Sequence, residues 1–299
     1  MRPFLRRVSV PVATVWTAPR APRPVDEPVL RDHPDAAGWA AALGRADLAG
    51  LHGRCETQLL QGDRVLVVGE DGPWSAVRAT DQATSDDARG YPGWVRTAHL
   101  AAPDPRAGLA CVVALPSCLC ASRSEGPVRL SFGTRLQVLD ADEPVATVAL
   151  GTGREGAVPR AALRRLPDGP PVAGDVLASA RQLLGLPYLW GGTSAWGLDC
   201  SGLVHLVLRS WGVEVPRDAH DQAADVAAVP VDEVVPGDLY FFAAPGEAVS
   251  HVGLVTRPVS PDGERWMLHA PEEGRGVEEG PLAPGRHATL VAAGRPPLS

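Results

Sequence analysis

The sequence predicts an α+β chain: two small β-barrels in tandem, then a separate C-terminal domain that mixes helices and strands. Three observations lead there. A β-patterned segment occurs twice in the first half, a proline- and glycine-rich link follows it, and beyond the link the apolar period becomes helical before returning to strands.

The repeat is read from matched residues. "LLQGDRVLVVGEDGPWSAV", ending at Val77, is echoed by "RLSFGTRLQVLDADEPVATV", ending at Val148, so that Gly62 matches Gly133, Arg64 matches Arg135 and Pro73 matches Pro144. Downstream, "GWVRTAHL" from Gly93 matches "GAVPRAAL" from Gly156. Each copy alternates short β-like runs with turn residues and closes on a strand and a short helical turn, the pattern of a small barrel. The two modules are placed at 1–103 and 104–168. The first is longer because "DHPDAAGWAAALGRADLAGLHG" inserts an Ala-rich helical excursion, and insertions fall in loops. "GTGREG" from Gly151 satisfies the dinucleotide-binding glycine pattern, but Pro159 follows closely and no long amphipathic helix opens there. No cofactor is expected.

"RLPDGPPVAGD" leads into the third module, 172–299. "DVLASARQLLGL" reads as a helix with Val176, Ala180, Leu183 and Leu184 on one side and Gly185 ending it. The next stretch is "YLWGGTSAWGLDCSGLVHLVL". Asp199 is a natural N-cap, Leu203, Val204, Val207, Leu208 and Trp211 recur at helical spacing, and Gly212 terminates the run. Cys200 then falls in the first helical turn, where unpaired N–H groups and the helix dipole stabilise a thiolate. A core cysteine needs none of this, so Cys200 is the candidate nucleophile.

A nucleophilic thiol needs a base. His205, five residues on, is rotated roughly 140° from Cys200 around the helix and is a poor candidate. The better one lies in "GDLYFFAAPGEAVSHVGLVTRPVSPDGERWMLHAP", whose last two apolar runs, near 250–256 and 264–270, flank the turn-rich "RPVSPDG". A hairpin centred near Ser260 sets His251 opposite His269, and directly paired side chains approach to about 5 Å. One imidazole can take the thiol proton while the other orients it.

Composition excludes other classes. The 299 residues carry 28 basic and 35 acidic groups, a net −7 that gives no electrostatic footprint for nucleic acid. Lys, Ile and Asn are absent, so arginine supplies every strong positive charge. No run approaches the roughly 18 apolar residues of a membrane span. "MRPFLRRVSVPVATVWTAPR" is broken by Pro11 and has no convincing cleavage site, so a soluble, cytoplasmic protein is expected. Five cysteines, Cys55, Cys111, Cys118, Cys120 and Cys200, are an odd number in a chain too long to need disulfide staples, and reduced thiols are expected. The cluster of Cys111, Cys118 and Cys120 lacks zinc-site spacing and a nearby histidine, so no metal is expected.

The blocks "LPYLWGGTSAWGLDCSGLV", "VPRDAHDQ", "PGDLYFF", "SHVGLV" and "LHAPEEGRGV", in this order, resemble the NlpC/P60 family of papain-like cysteine peptidases, which cleave peptidoglycan stem peptides. The resemblance implies a papain-like catalytic domain with Cys200 as nucleophile, His251 as base and His269 as orienting residue. It implies that the Tyr188 hydroxyl lies near the developing oxyanion beside the Cys200 N–H, simple aromatic packing being the alternative. Trp190 and Trp196 would wall the groove.

The two upstream barrels resemble bacterial SH3 domains, and the whole arrangement is similar to the γ-D-glutamyl-L-diamino acid endopeptidases of murein peptide recycling. That subgroup implies a substrate L-Ala-γ-D-Glu-diamino acid with a free N-terminal amine. "CETQLLQGDRV" and "RGYPGWV" then implicate Glu56 and Tyr91, with Asp199, in binding the ammonium; a solvated barrel residue and a pure helix cap are the plainer readings of Glu56 and Asp199. Ser201, Arg217 and Asp218 would line the groove, with Arg217 holding the substrate's α-carboxylate, and Ala219 stands where many relatives carry Ser. Three alternatives stay open: a papain-like amidase or acyltransferase on another substrate, an open-groove wall hydrolase, and a binding module with a decayed site.

Overall fold

A computed structural model describes residues 2–104, 106, 108–122, 126–141, 144–151, 153–272 and 276–299. The chain divides into two compact units, Met1–Leu166 with Leu189–Gly197, and Pro167–Tyr188 with Leu198–Ser299. The segment Leu189–Gly197, expected within the C-terminal module, therefore belongs to the first unit. Thr152 of the glycine motif and residues 273–275 of "LHAPEEGRGV" lie outside the described residues.

The internal repeat becomes two antiparallel sheets. The first holds β1 (Phe4–Val8), β2 (Val12–Trp16), β3 (Cys55–Leu60), β4 (Arg64–Asp71), β5 (Trp74–Ala79), β6 (Tyr91–Arg96) and β7 (Leu100–Ala101). The second holds β8 (Leu109–Val113), β9 (Ser117–Ser122), β10 (Gly126–Ser131), β11 (Arg135–Asp140), β12 (Val145–Ala149), β13 (Glu155–Pro159) and β14 (Leu163–Arg165). Their spatial orders, β3-β2-β6-β5-β4-β1-β7 and β10-β9-β13-β12-β11-β8-β14, are the same order seven strands apart.

The matched glycines show why the sequence echo exists. Gly62 and Gly133 adopt φ of +88° and +81°, a region that favours glycine. Their N–H groups donate to the carbonyls that end the matching strands, Val8 at 2.9 Å and Val113 at 3.0 Å. One turn geometry, used twice, requires the same residue twice. Among the described residues neither sheet closes into a barrel, because no pairing joins its two end strands. The two modules expected as small barrels are thus two seven-stranded sheets of common topology, with no closing pair among the described residues.

The insertion in the first copy forms a 3-10 turn (Pro24–Val29), α1 (Ala36–Ala42), which Asp35 caps by accepting from the Gly38 N–H at 2.8 Å, and α2 (Arg45–Ala49). It is pinned by buried Asp26, which accepts from the Arg23 guanidinium at 2.9 Å and from Trp39 Nε1 at 3.1 Å. Cys111, Cys118 and Cys120 sit in the apolar core of the second sheet.

The segment Leu189–Gly197 bonds to both sheets. Trp190 Nε1 donates to the Cys55 carbonyl at 3.1 Å, Thr193 Oγ1 to the Gln58 carbonyl at 2.8 Å, and the Ala195 N–H to Ser131 Oγ at 2.8 Å. A cavity of about 230 Å³ within this unit is lined by Val12, His33, Gln61, Arg129, Arg154 and Trp196 among others, and by none of the candidate catalytic residues.

The second unit begins with α3 (Ala173–Arg181). Val176, Ala180 and Leu183 are buried as the periodicity requires, but Leu184 is 44% exposed, because the helix stops before it and Gly185, at φ +81°, turns the chain. Ahead of α4 (Cys200–Ser210) come β15 (Thr193–Ser194), which lies in the first unit, and β16 (Gly197–Leu198), at whose last residue the second unit resumes. Then come α5 (Ala219–Asp225), β17 (Ala227–Val229), β18 (Leu239–Phe242), β19 (His251–Val255), β20 (Trp266–His269), β21 (Glu278–Pro281), α6 (Pro284–Thr289) and β22 (Leu290–Arg295). The six strands form one antiparallel sheet, ordered β17-β22-β18-β19-β20-β21. No helix among the described residues is long and apolar enough to cross a membrane.

Candidate active site

Helix α4 starts where it does because Asp199, in extended conformation, accepts the Gly202 N–H at 2.6 Å. Every residue of α4 is buried, so the helix is clamped from all sides and not along one stripe. At its far end Trp211 donates to Ser179 Oγ at 3.0 Å and Gly212, at φ +83°, ends the run. His205 is packed, its Nδ1 lying 2.9 Å from the Val215 carbonyl. The result is a rigid post carrying Cys200 at its first position.

Cys200 Sγ lies 3.9 Å from the Ser250 carbonyl and takes a hydrogen bond from the Val252 N–H. These two residues flank His251 at the start of β19. His251 Nε2 is 2.8 Å from His269 Nδ1, with the rings perpendicular and their centres 5.0 Å apart. The expected register is corrected. Leu254 pairs with Leu268 and Val255 with Met267, so His269 falls opposite Gly253 and meets His251 on the diagonal. Diagonal neighbours on one face are within reach of aromatic side chains.

A fourth group follows. His269 Nε2 lies 3.4 Å from Glu278 Oε1, and the two residues are register partners across β20 and β21. A carboxylate only accepts, so it favours a proton on His269 Nε2. Nδ1 then accepts from His251 Nε2–H, and the free lone pair of His251 is on Nδ1.

Burial sets the charge state. It pushes the Cys200 thiol up to about 12, aided by the neighbouring charge of Asp199; hydrogen bonds from Val252 and Ser201 and the Arg217 charge oppose this and lose. Burial likewise holds His251 and His269 well below the ordinary imidazole range, with Arg286 adding to both shifts. Burial therefore works against the helix end: it disfavours the charged forms of both the thiol and the imidazoles, while the first turn of α4 favours a thiolate.

Arg217 is 1% exposed and donates to Asp199 Oδ1 at 3.0 Å, Asp199 Oδ2 at 2.6 Å and Ser201 Oγ at 3.0 Å. It is the buried partner of Asp199. Asp199 in turn accepts from Gly202, Ser201 and Arg217, so its buried charge is matched within the fold. Removing either partner would strand a buried charge.

Tyr188 bridges to Leu198, and burial keeps its phenol protonated, with the charges of Asp199 and Cys200 acting in the same direction. Asp218 precedes α5, and Ala219 is buried as its first residue. Among the described residues, the group close enough to hold a metal is Asp218, His220 and Asp221, whose ligand atoms lie within 4.8 Å of one another; His220 already faces Asp221 at 3.4 Å. In the first unit, Glu56 is the second residue of β3, Tyr91 opens β6 opposite Ala79, and the Trp190 ring packs tilted against His52 with ring centres 4.0 Å apart.

Sequence reasoning missed Glu278, Arg286 and Phe242. Glu278 was open to detection, since a third strand after His269 can set an acidic residue beside it. Arg286 carried no local signal, because only the sheet order brings α6 to this end of β18.

A model of the NlpC/P60 family matches residues 185–291. Two curated relatives, each named gamma-D-glutamyl-L-lysine dipeptidyl-peptidase, come from Bacillus subtilis and Bacillus cereus. The first is 35% identical over 89% of this chain and 90% of its own length, and the second 33% identical over 92% and 85%. The crystal structure of an NlpC/P60 family protein from Bacillus cereus superposes with a TM-score of 0.91 at 30% identity, covering 99% of this chain and all of the other.

Proposed function

Because the chain belongs to the NlpC/P60 family and is a cysteine peptidase of the γ-D-glutamyl-L-diamino acid endopeptidase type, we propose that it releases L-Ala-γ-D-Glu from murein peptides with a free N-terminal L-Ala. The observation that supports the reading is the 2.8 Å contact between His251 and His269, set beside a thiol held at the two residues that flank His251. We read the two open sheets as SH3-like modules attached to a papain-like catalytic unit, and place the activity on free peptides in the cytoplasm.

The chemistry starts from Cys200 and His251. As Cys200 Sγ attacks the γ-carbonyl of D-Glu, its proton passes to His251 Nδ1, and the imidazolium is stabilised by the His269 Nδ1 lone pair. Developing charge on the carbonyl oxygen meets the Cys200 N–H in the first turn of α4 and the Tyr188 hydroxyl. His251 returns the proton to the leaving α-amine of the diamino acid as the C–N bond breaks. Water, deprotonated by His251, then cleaves the thioester and restores the thiol.

The direct test is incubation of the protein with L-Ala-γ-D-Glu-L-Lys and mass spectrometry of the products. The dipeptide L-Ala-γ-D-Glu is expected, and Cys200→Ser should abolish its release while the variant stays folded, because a serine hydroxyl is a far weaker nucleophile here. Turnover of intact peptidoglycan with none of the free peptide would replace this reading with that of an open-groove wall hydrolase.

A further inference from the structure

Arg217 is buried against Asp199, and a second cation, Arg286, lies over Phe242, the ring that neighbours His251. β18 ends at Phe242, which pairs with His251 on one side and with Leu290, the first residue of β22, on the other. Helix α6 runs directly into Leu290, and the Thr289 carbonyl accepts the Ala243 N–H at 2.9 Å. The topology therefore carries α6 and His251 at the same end of the sheet. From α6, the Arg286 guanidinium carbon lies 5.6 Å from the centre of the Phe242 ring, and that ring centre is 5.7 Å from the His251 ring. Arg286 is partly exposed, and its guanidinium meets no carboxylate among the described residues.

A lone cation here works against the chemistry, since the base must become positive during attack and a like charge opposes that. The handicap is lifted when an anion docks on the guanidinium. The proposed substrate brings candidate anions: a γ-linked D-Glu keeps its α-carboxylate, and a terminal diamino acid carries another.

We propose that Arg286 binds a substrate carboxylate next to the scissile bond and so selects acidic over amidated γ-D-glutamyl peptides. The inference rests on the γ-D-glutamyl reading above. A planar guanidinium suits bidentate pairing with a carboxylate, and occupancy neutralises the charge that weakens His251. Binding of the correct substrate and strengthening of the base are then one event.

The test compares kcat/KM for three peptides: L-Ala-γ-D-Glu-L-Lys, the same peptide amidated at the D-Glu α-carboxylate, and the same peptide amidated at its C-terminus. Charged hydrogen bonds lead us to expect that the unmodified enzyme prefers the acid over one of the amides by roughly tenfold or more. Arg286→Gln should bring that ratio close to one while leaving the preference over the other amide in place, which identifies the carboxylate. Arg286→Lys should retain part of the ratio, as a point charge without the fork. If Arg286→Gln leaves the acid-to-amide ratios for both peptides unchanged, or if the unmodified enzyme prefers the acid over neither amide, the assignment is overturned while the enzyme still cleaves. If the unmodified enzyme releases no dipeptide from any of the three, the substrate reading has failed and takes the assignment with it.

Discussion

His269 lies directly opposite Gly253, and that missing side chain is what lets its imidazole lean two residues along the hairpin to His251. A Cβ built at position 253 would stand 3.1 Å from the His269 Cβ and 2.8 Å from Met267 Sδ. The thioether can swing aside; the Cβ of His269, fixed to the strand, cannot. The diagonal contact therefore depends on a glycine whose own backbone is ordinary strand.

Gly253→Ala should accordingly lower kcat while KM changes little, because it moves the orienting residue and not the groove. A displacement of a few tenths of an ångström argues for a loss of about tenfold, since misplacements near 1 Å cost on the order of a hundredfold. Steady-state kinetics with a thermal melt checks this; a stable variant with unchanged kcat would show that the diagonal is not needed.

Glu278, 3.4 Å from His269 Nε2, is expected to fix the tautomer of the pair. His269→Asn should retain more activity than His269→Ala, because an amide oxygen can still accept from His251. At 57% exposure, Glu278 contributes through a solvent-screened contact, so Glu278→Ala should cost only about fivefold in kcat. In ¹⁵N spectra of unmodified protein, His269 should carry its proton on Nε2, with the Nδ1 tautomer gaining population in Glu278→Ala. A tautomer ratio indifferent to that substitution would remove Glu278 from the relay.

The buried imidazoles also tie stability to pH. Both have folded pKa values depressed below the ordinary 6.5, that of His269 to about 4, whereas in the unfolded chain they protonate near 6.5. Below 6.5 the unfolded state binds more protons, so this contribution is fully present above 6.5 and is lost as pH falls through that window. Buried His99 adds a term of the same sign. His269→Asn removes one titrating group, so its denaturation midpoint should fall less steeply between pH 6.5 and 4 than that of the unmodified protein. Parallel slopes would mean that His269 is not held neutral in the fold.

Legibility in the sequence followed the range of the physics. The N-cap Asp199, the helical run after Cys200 and the doubled Gly62/Gly133 turn are local, and each was readable from a few residues. The pairing of His251 with His269 was readable in kind, but its register was not, because the centre of the hairpin was set at Ser260 while the observed pairs place it at Pro261. What failed was long-range. Nothing near Arg217 announces that its guanidinium folds back on Asp199, and the burial that pushes the Cys200 thiol up carries no local mark in the sequence. Arg286 is the extreme case, placed by the order of three strands.

The proposed preference for a free amine is assigned by sequence resemblance alone, to Glu56 and Tyr91. With Asp199 matched by Arg217, the carboxylate proposed to receive the L-Ala ammonium is Glu56, with Tyr91 alongside it in the resemblance of "CETQLLQGDRV" and "RGYPGWV". An ammonium that gives up hydration needs a carboxylate in exchange, and losing one partner of such a pair costs on the order of 2–5 kcal/mol, or roughly 30-fold to several-thousand-fold in kcat/KM. N-acetyl-L-Ala-γ-D-Glu-L-Lys, which has no charge at that position, should be a poor substrate by a factor in this range. Glu56→Gln should weaken cleavage of the free-amine peptide and narrow its advantage over the acetylated one, whereas a purely structural role would slow both equally. Comparable kcat/KM for free and acetylated peptides in the unmodified enzyme would sink the assignment and favour an enzyme that acts within longer chains.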